Sequence, residues 1–289
     1  MPGKAAIART VTYICGYIEK NMKHYLGIAV LILFTACNGN GGKEGPDDPD
    51  IAKLKTPLIE YKIVAEYPHD TAAYTEGLQV YNGKFYEGTG MENESTLQVS
   101  DIKTGKIEER HLYTDPKIFG EGIQVFKNKV YQLTWKNHIV YVYDVKDLKN
   151  PIKTFNWPYE GWGMTNNGTD LIISDGTPNL YFVSPDSFKI KTTMYVKHGD
   201  DAIGSLNELE YINGFIYANI WQTNDIVKID PSNGQVIGKI ALPDLKQQYF
   251  ADKITERTDV LNGIAYDSST KKMYITGKRW PKVFEIEVK

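Results

Sequence analysis

The sequence Phe119-Gly120-Glu121-Gly122-Ile123 opens a short stretch whose recurrence along the chain decides the fold. Fourteen residues after Glu121, a second apolar run ends at Trp135. Five such segments begin with a polar or aromatic residue, at Glu76, Glu121, Trp162, Asn207 and Asn262. Subtraction of these residue numbers gives spacings of 45, 41, 45 and 55 residues. A period of this length is typical of a repeat architecture.

Each repeat is predicted to contain four strands. Residues 121–125 and 130–135 are two runs of β-branched and aromatic residues on either side of a turn, and residues 139–144 and 152–155 add two more. Such runs favour strands, and four short antiparallel strands per repeat is the pattern of a β-propeller blade. A β-sandwich is the alternative, but it has no long period. The sequence therefore predicts an all-β fold, a five-bladed β-propeller.

The last repeat supplies only three strands, the third of which is residues 283–288. Residues 57–67 stand before the first repeat with alternating apolar residues and no partner. Because an open ring would leave strand edges exposed, we expect this N-terminal strand to complete the fifth blade and to close the ring.

One segment, residues 244–254, breaks the β pattern and accounts for the 55-residue spacing. Leu245, Tyr249 or Phe250, and Ile254 recur at helical spacing, and Asp244 can cap the helix. We expect a short helical insertion between blades four and five. It is either a loop filler or, as we favour, a cover over the channel mouth.

The N-terminal region has the features of an export signal. Met22 begins a short basic region, and the apolar stretch 26–34 that follows is too short to span a bilayer as an ordinary anchor. Phe34-Thr35-Ala36-Cys37 resembles a bacterial lipoprotein signal, although its first residue departs from the usual Leu or Val. We expect translation to start at Met22, residues 1–37 to be the leader and Cys37 to be lipidated. An uncleaved hydrophobic leader is the alternative.

Residues 38–56 follow as a predicted tether before a propeller domain at residues 57–289. The tether is rich in Gly, Pro and Asp, which cannot bury a core. Cys15 lies in the predicted leader, so no intrachain disulfide is expected in the mature chain. We expect an exported monomer held at the bacterial cell envelope by its lipid, on the periplasmic side or at the cell surface. The net charge of −3 lacks the excess of positive charge that is typical of nucleic-acid-binding domains, so we expect no nucleic-acid partner.

The hairpins also predict where a binding site would form. An antiparallel hairpin brings its two ends to one sheet edge, and the first strand of each propeller blade lines the central channel. The five hairpins should therefore place their first and last residues at the same mouth of the channel. The last residues are Gly90, Trp135, Gly176, Trp221 and Lys278. An apolar wall with a few convergent polar groups is usual for a small-ligand site. These residues could instead serve only the structure, by capping neighbouring amides or by packing. A purely structural position in a repeat should tend toward one residue type, however, and these positions carry different types, which favours a functional interpretation.

The same segments resemble the glutaminyl-peptide cyclotransferases of plants and bacteria, from about residue 58 to the C-terminus. The motifs that carry the resemblance are Tyr74-Thr75-Glu76-Gly77-Leu78, Phe119-Gly120-Glu121-Gly122-Ile123, Leu133-Thr134-Trp135, Glu160-Gly161-Trp162-Gly163, Ser174-Asp175-Gly176-Thr177, Leu206-Asn207-Glu208-Leu209-Glu210, Ala218-Asn219-Ile220-Trp221-Gln222-Thr223, Leu261-Asn262-Gly263-Ile264-Ala265 and Thr276-Gly277-Lys278-Arg279-Trp280-Pro281. The resemblance implies a five-bladed propeller with no catalytic metal or other cofactor. A structural cation such as calcium at the blade turns stays open.

The implied reaction turns the N-terminal glutamine of a peptide or protein into pyroglutamate and releases ammonia. The resemblance places the acid/base role on Glu121 and the amine anchor on Glu76, where some family members have Gln. The aromatic residues implied to line the pocket are Tyr74, Phe119, Trp135, Trp162 and Trp221. The candidate hydrogen-bond donors to the amide oxygen are Asn207, Gln222 and Lys278.

Two other functions stay open at this point. A metal-dependent propeller hydrolase or lactonase needs several Asp, Glu or His ligands that converge. The histidines of the predicted propeller, none of which falls on a mouth position, are His69, His111, His138 and His198. A non-enzymatic binding module is the second alternative, because propellers often serve as docking rings.

Overall fold

The computed structural model describes residues 56–289, which form a ring of five β-sheets. The predicted leader, residues 1–37 with Cys37, and residues 38–55 of the predicted tether lie outside the described residues. The predicted domain boundaries therefore remain predictions. Within residues 56–289, no helix is long and apolar enough to cross a membrane.

The strands follow the predicted repeat. The first strand, β1 (Tyr61–Pro68), belongs to the last blade. Blade one contains β2 (Thr75–Tyr81), β3 (Lys84–Thr89), β4 (Thr96–Asp101) and β5 (Ile107–Leu112). Blade two contains β6 (Gly120–Phe126), β7 (Lys129–Thr134), β8 (Ile139–Asp144) and β9 (Lys153–Asn156). Blade three contains β10 (Met164–Asn166), β11 (Leu171–Ser174), β12 (Asn179–Val183) and β13 (Ile190–Tyr195).

The second half of the ring continues the pattern. A small hairpin, β14 (Lys197–His198) and β15 (Asp201–Ala202), follows blade three. Blade four contains β16 (Leu206–Ile212), β17 (Phe215–Ile220), β18 (Asp225–Ile229) and β19 (Val236–Ala241). Blade five contains β20 (Leu261–Asp267), β21 (Lys272–Gly277) and β22 (Lys282–Val288), with β1 as its outer strand. The all-β, five-bladed prediction is confirmed.

Ring closure by the N-terminal strand is also confirmed. β1 pairs with β22 in antiparallel register from Tyr61 opposite Val288 to Pro68 opposite Lys282. Before β1, the Ile59 amide donates to the Lys239 carbonyl at 2.8 Å, which covers the edge of blade four. After β1, His69 reaches blade one through a 3.0 Å contact between its Nε2 and Glu87 Oε1. One N-terminal segment therefore connects blades four, five and one and protects strand edges.

The core divides between the blades. Among the described residues, five buried apolar clusters form, each shared by two neighbouring blades. The cluster between blades five and one contains Tyr274 and Val283 from one blade and Leu78 and Phe85 from the other. Because burial of apolar surface is the main favourable term in folding, this cluster stabilises the closed ring.

Close backbone contacts narrow the channel just beyond the five starting residues. A Cβ on Gly77 would lie 2.4 Å from the Ile123 amide nitrogen, and one on Gly163 would lie 2.1 Å from the Asn207 carbonyl oxygen. The equivalent residue in blade four is Glu208, which is buried. Its carboxyl accepts from the amide of Ile264 at 2.8 Å and from that of blade one's Leu78 at 3.3 Å. Glycine thus permits the approach of the inner strands, and one carboxyl bridges three blades.

The predicted helical insertion is present but shorter than residues 244–254. Helix α1 (Leu245–Tyr249) is capped by Asp244, whose Oδ1 accepts from the Lys246 amide at 3.1 Å, and a 3-10 turn (Ala251–Lys253) follows. Leu245 and Phe250 are buried in the cluster between blades four and five. None of residues 244–254 lines the cavity described below. The structure therefore favours the filler over the cover.

Candidate active site

Bulges at the starts of the inner strands shape the channel mouth. In β2 the pairing passes from Thr75 opposite Thr89 to Gly77 opposite Gly88, so Glu76 is an extra residue. The inner strands of blades two, four and five show the same irregularity over their first residues. Because a bulge re-aims the side chains around it, the starting residues of these four blades lie at a shared irregularity of the inner strand.

A cavity of about 260 Å³ lies at this mouth. Its lining residues are Tyr74, Glu76, Met91, Phe119, Glu121, Trp135, Trp162, Asn207, Trp221 and Lys278. The structure therefore brings together nine of the ten side chains predicted for catalysis and substrate binding. The tenth, Gln222, does not line the cavity: its φ of +63° turns the chain away after Trp221, and its side chain is exposed. Met91 was not predicted.

The base of the cavity holds two carboxyls and an ammonium. Lys278 Nζ lies 2.7 Å from Glu76 Oε1, and only 4% of Lys278 and 2% of Glu76 are exposed. The Asn262 Nδ2 group donates to Glu76 Oε2 at 3.3 Å and to the Thr75 carbonyl at 2.9 Å. Asn262 does not line the cavity, so this predicted mouth residue instead orients Glu76.

The two carboxyls have different tendencies to ionise. Burial raises the pKa of Glu121 well above its usual value, and the charge of Glu76 raises it further. Burial also raises the pKa of Glu76, but Lys278 and a hydrogen bond from Glu121 oppose this effect. Glu121, whose pKa is raised more strongly, therefore holds a shared proton more firmly than Glu76 and donates a hydrogen bond to it. Such a pair titrates as one unit.

Aromatic rings form the wall above these polar groups. Phe119 packs against Tyr74 and Trp135, with ring centres 6.4 and 5.5 Å apart, and Trp162 meets Trp221 edge-on at 5.6 Å. Glycines at two hairpin ends make room for these rings. A Cβ on Gly90 would lie 2.4 Å from Phe119, and one on Gly176 would lie 2.7 Å from Trp162. The two mouth positions that carry Gly are therefore needed for the wall.

Polar contacts fix the remaining groups. The Tyr74 hydroxyl donates to Asp259 Oδ2 at 2.7 Å, and Lys278 Nζ lies 4.5 Å from the centre of the Tyr74 ring. Asn207 is 3% exposed, and its Oδ1 has no hydrogen-bond partner among the described residues. A buried polar atom without a partner is costly, so the Asn207 amide oxygen is available to accept a hydrogen bond from a bound molecule.

Known proteins resemble this chain in sequence and in fold. The family model for glutamine cyclotransferase matches residues 34–288. A glutaminyl-peptide cyclotransferase from Arabidopsis thaliana is 35% identical over 264 residues, which covers 90% of this chain and 80% of that protein. The crystal structure of Myxococcus xanthus glutaminyl cyclase matches with a TM-score of 0.74 and 33% identity, over 81% of this chain and 98% of that one.

The chain belongs to the glutamine cyclotransferase family. The predicted resemblance and the predicted enzyme class, a transferase, are thereby confirmed. Membership of this family favours the cyclotransferase over the hydrolase and the binding module.

Metal ligands do not cluster in this cyclotransferase fold. Across residues 56–289, no group of three or more His, Cys, Asp or Glu side chains is arranged to hold a metal ion. His69 is taken up by its contacts with Glu87 and with the Trp280 carbonyl, 2.8 Å from its Nδ1. The reactive groups offered to a ligand in the cavity are thus carboxyl, ammonium and carboxamide.

Proposed function

We propose that this protein converts the N-terminal glutamine of peptides or proteins into pyroglutamate and releases ammonia, without a metal. The observation that carries the proposal is the buried carboxyl of Glu121, whose pKa burial raises, beside the Glu76–Lys278 pair in an aromatic cavity. Glutamine cyclisation needs a proton moved between two nitrogens of one residue. A buried carboxyl with a raised pKa is suited to this task at neutral pH.

Substrate binding follows from the shape and charge of the cavity. Trp135, Trp162 and Trp221 enclose the glutamine side chain, which favours a folded conformation with the amine close to the amide carbon. Glu76 accepts a hydrogen bond from the α-amine. A lone carboxylate would raise the pKa of that amine and so oppose attack. Lys278, 2.7 Å from Glu76, offsets this charge and keeps the amine easier to deprotonate.

The chemical step makes one carbon–nitrogen bond and breaks another. The neutral α-amine attacks the side-chain amide carbon, and the amide oxygen becomes negative. The Lys278 ammonium and the Nδ2 group of Asn207 are donors on the cavity lining that can stabilise this oxygen. Glu121 donates its proton to the leaving nitrogen, which departs as ammonia, and then takes a proton from the new ring nitrogen. The enzyme is thereby returned to its starting state.

Incubation of the purified protein with a Gln-initiated peptide tests the proposal. We expect the peptide to lose the mass of one ammonia, and an equal amount of ammonia to appear in solution. The same peptide with an acetylated N-terminus is the matched control, because it has no free amine to attack. Turnover should persist after treatment with a chelator. No mass loss in the free peptide would contradict the proposed function, and loss of turnover with the chelator would contradict its metal independence.

We also propose that the protein is exported and anchored to the cell envelope through a lipid on Cys37. The support is the Phe34-Thr35-Ala36-Cys37 pattern after an apolar stretch. A labelled fatty acid fed to expressing bacteria should be incorporated into the wild type and not into Cys37→Ala. Equal labelling of the two proteins would exclude lipidation at this residue.

A further inference from the structure

The carboxylate of Glu160 joins two walls of the cavity without lining it. Its Oε2 accepts a hydrogen bond from Trp135 Nε1 at 2.7 Å and another from Trp162 Nε1 at 3.1 Å. Its Oε1 lies 3.5 Å from Lys136 Nζ, and its backbone carbonyl accepts from Trp157 Nε1 at 3.1 Å. One oxygen atom therefore fixes the positions of two indole rings that contact the ligand space.

The aromatic wall has a gap where Glu160 lies. Ring contacts connect Tyr74, Phe119 and Trp135 on one side and Trp162 with Trp221 on the other. Among the described residues, no ring contact joins Trp135 directly to Trp162. The shared acceptor on Glu160 thus sets the separation of the two halves of the wall.

The sequence position of Glu160 agrees with a role at the site. It stands two residues before Trp162, the starting residue of blade three. The equivalent residues of blades one and two, Tyr74 and Phe119, line the cavity directly. In blade three the same position supplies a hydrogen-bond acceptor behind the wall instead of a ring in it.

Glu160 also acts on the reactive carboxyl at a distance. Its negative charge contributes to the raised pKa of Glu121, after burial and the charge of Glu76. The side chain of Glu160 is 35% exposed, so solvent screens this effect. Its direct contacts with the indoles are therefore the stronger basis for a role.

We propose that Glu160 is a positioning residue, whose carboxylate holds the indoles of Trp135 and Trp162 at the separation that admits a glutamine side chain. This inference rests on the proposed cyclotransferase function of the cavity. Glu160 itself does not contact the reacting atoms. Because a small displacement of a substrate-positioning group can cost a large factor in rate, loss of the acceptor affects turnover without touching the chemistry of Glu121.

Two substitutions separate the acceptor from the charge. Glu160→Met keeps the length of the side chain but removes both acceptor oxygens, and Glu160→Gln keeps one acceptor oxygen and removes the charge. We expect kcat/KM to fall on the order of 10-fold to 100-fold in E160M and to stay within about threefold of wild type in E160Q. If E160M does not fold, Glu160→Ala is a second acceptor-free variant. Lys136→Met controls for loss of the neighbouring ion pair.

The near-UV circular dichroism of the tryptophans gives a readout that does not depend on activity. E160M should change the tryptophan signal, and E160Q should preserve it. Wild-type kcat/KM in E160M, or an equal loss in E160M and E160Q, would overturn the positioning role. If the wild type does not cyclise glutamine, the proposed function fails, and the spectra still decide whether Glu160 orders the indoles: an unchanged spectrum in E160M overturns that claim.

Discussion

Lys278 Nζ lies 2.7 Å from Glu76 Oε1 at the base of the cavity, where both side chains are buried. After burial, the two members of this pair are the next largest influences on the pKa of Glu121: Glu76 raises it and Lys278 lowers it. Burial raises the pKa of Glu121, and Glu76 accepts a hydrogen bond from the protonated Glu121 carboxyl. The two carboxyls thus titrate as one unit beside Lys278, and their shared proton is available for transfer.

Glu76→Gln should lower the pKa of Glu121, because the negative charge that raises it is removed while the Lys278 ammonium remains. In the proposed mechanism Glu121 acts in its protonated form, so activity falls as the pH rises through its pKa. The alkaline limb of the pH profile of kcat/KM should therefore move to lower pH in E76Q. Steady-state assays between pH 6 and pH 10 measure this limb. The shift should be smaller when Glu76→Gln is combined with Lys278→Met, because Lys278 also lowers the pKa of Glu121. An alkaline limb at the same pH in E76Q and the wild type would exclude the coupling between Glu76 and Glu121.

Gly176→Ala should disturb the cavity wall. Gly176 has a φ of +79°, and an added Cβ would lie 2.7 Å from the Trp162 ring. Gly168 in the same blade has a φ of +87° and no atom within 4 Å of an added Cβ, so Gly168→Ala is a matched control. Both substitutions should cost about 1–2 kcal/mol in the free energy of unfolding, from the left-handed backbone. Only G176A should raise KM, because only it displaces Trp162; equal KM values would contradict this.

His69→Gln should destabilise the ring closure in a pH-dependent way. Burial lowers the pKa of His69, but the charge and hydrogen bonds of Glu87 outweigh it and raise the pKa above its usual value. The stabilisation that the contact between protonated His69 and Glu87 provides is therefore fully present below the unfolded pKa of about 6.5. It is lost as the pH rises through the folded pKa. H69Q should lose about 1.5–3 kcal/mol near pH 6 and less at pH 9. Denaturant unfolding of the wild type and H69Q at both pH values measures this loss in the free energy of unfolding. A loss of equal size at pH 6 and pH 9 would contradict the prediction.

Glu210→Gln should stabilise the protein at alkaline pH. Burial raises the pKa of Glu210 to about 8. A folded pKa above the unfolded value means that stability is lost as the pH rises from about 4.3 through about 8. A neutral carboxamide avoids this loss and can still accept from the Tyr266 amide, 2.9 Å away in the wild type. The gain should be a few kcal/mol at pH 9 and near zero at pH 4. Thermal unfolding that shows no gain at pH 9 would be inconsistent with a raised folded pKa of Glu210.

The repeat pattern was sufficient to predict the ring and most of the cavity, because hairpin ends at one spacing must meet at one sheet edge. Gln222, the predicted site residue that does not line the cavity, follows Trp221 in sequence but has a left-handed backbone, which no side-chain pattern indicates. The bulge at Glu76 and its equivalents was also invisible, since it depends on strand pairing. Glu160 could have been noticed two residues before Trp162, but its role depends on two indoles brought together only by the fold.

The central claim is that the Glu121 carboxyl transfers the proton during cyclisation, and Glu121→Gln tests it most directly. The substitution keeps the size of the side chain and removes its acid. Glu287→Gln, on the exposed face of blade five, is the control for an ordinary loss of one carboxyl. Ammonia release from a Gln-initiated peptide should fall by roughly 10²–10⁴-fold in E121Q, while its melting temperature should be no lower than that of the wild type. E287Q should keep full activity. Ammonia release by E121Q at the wild-type rate would contradict the account.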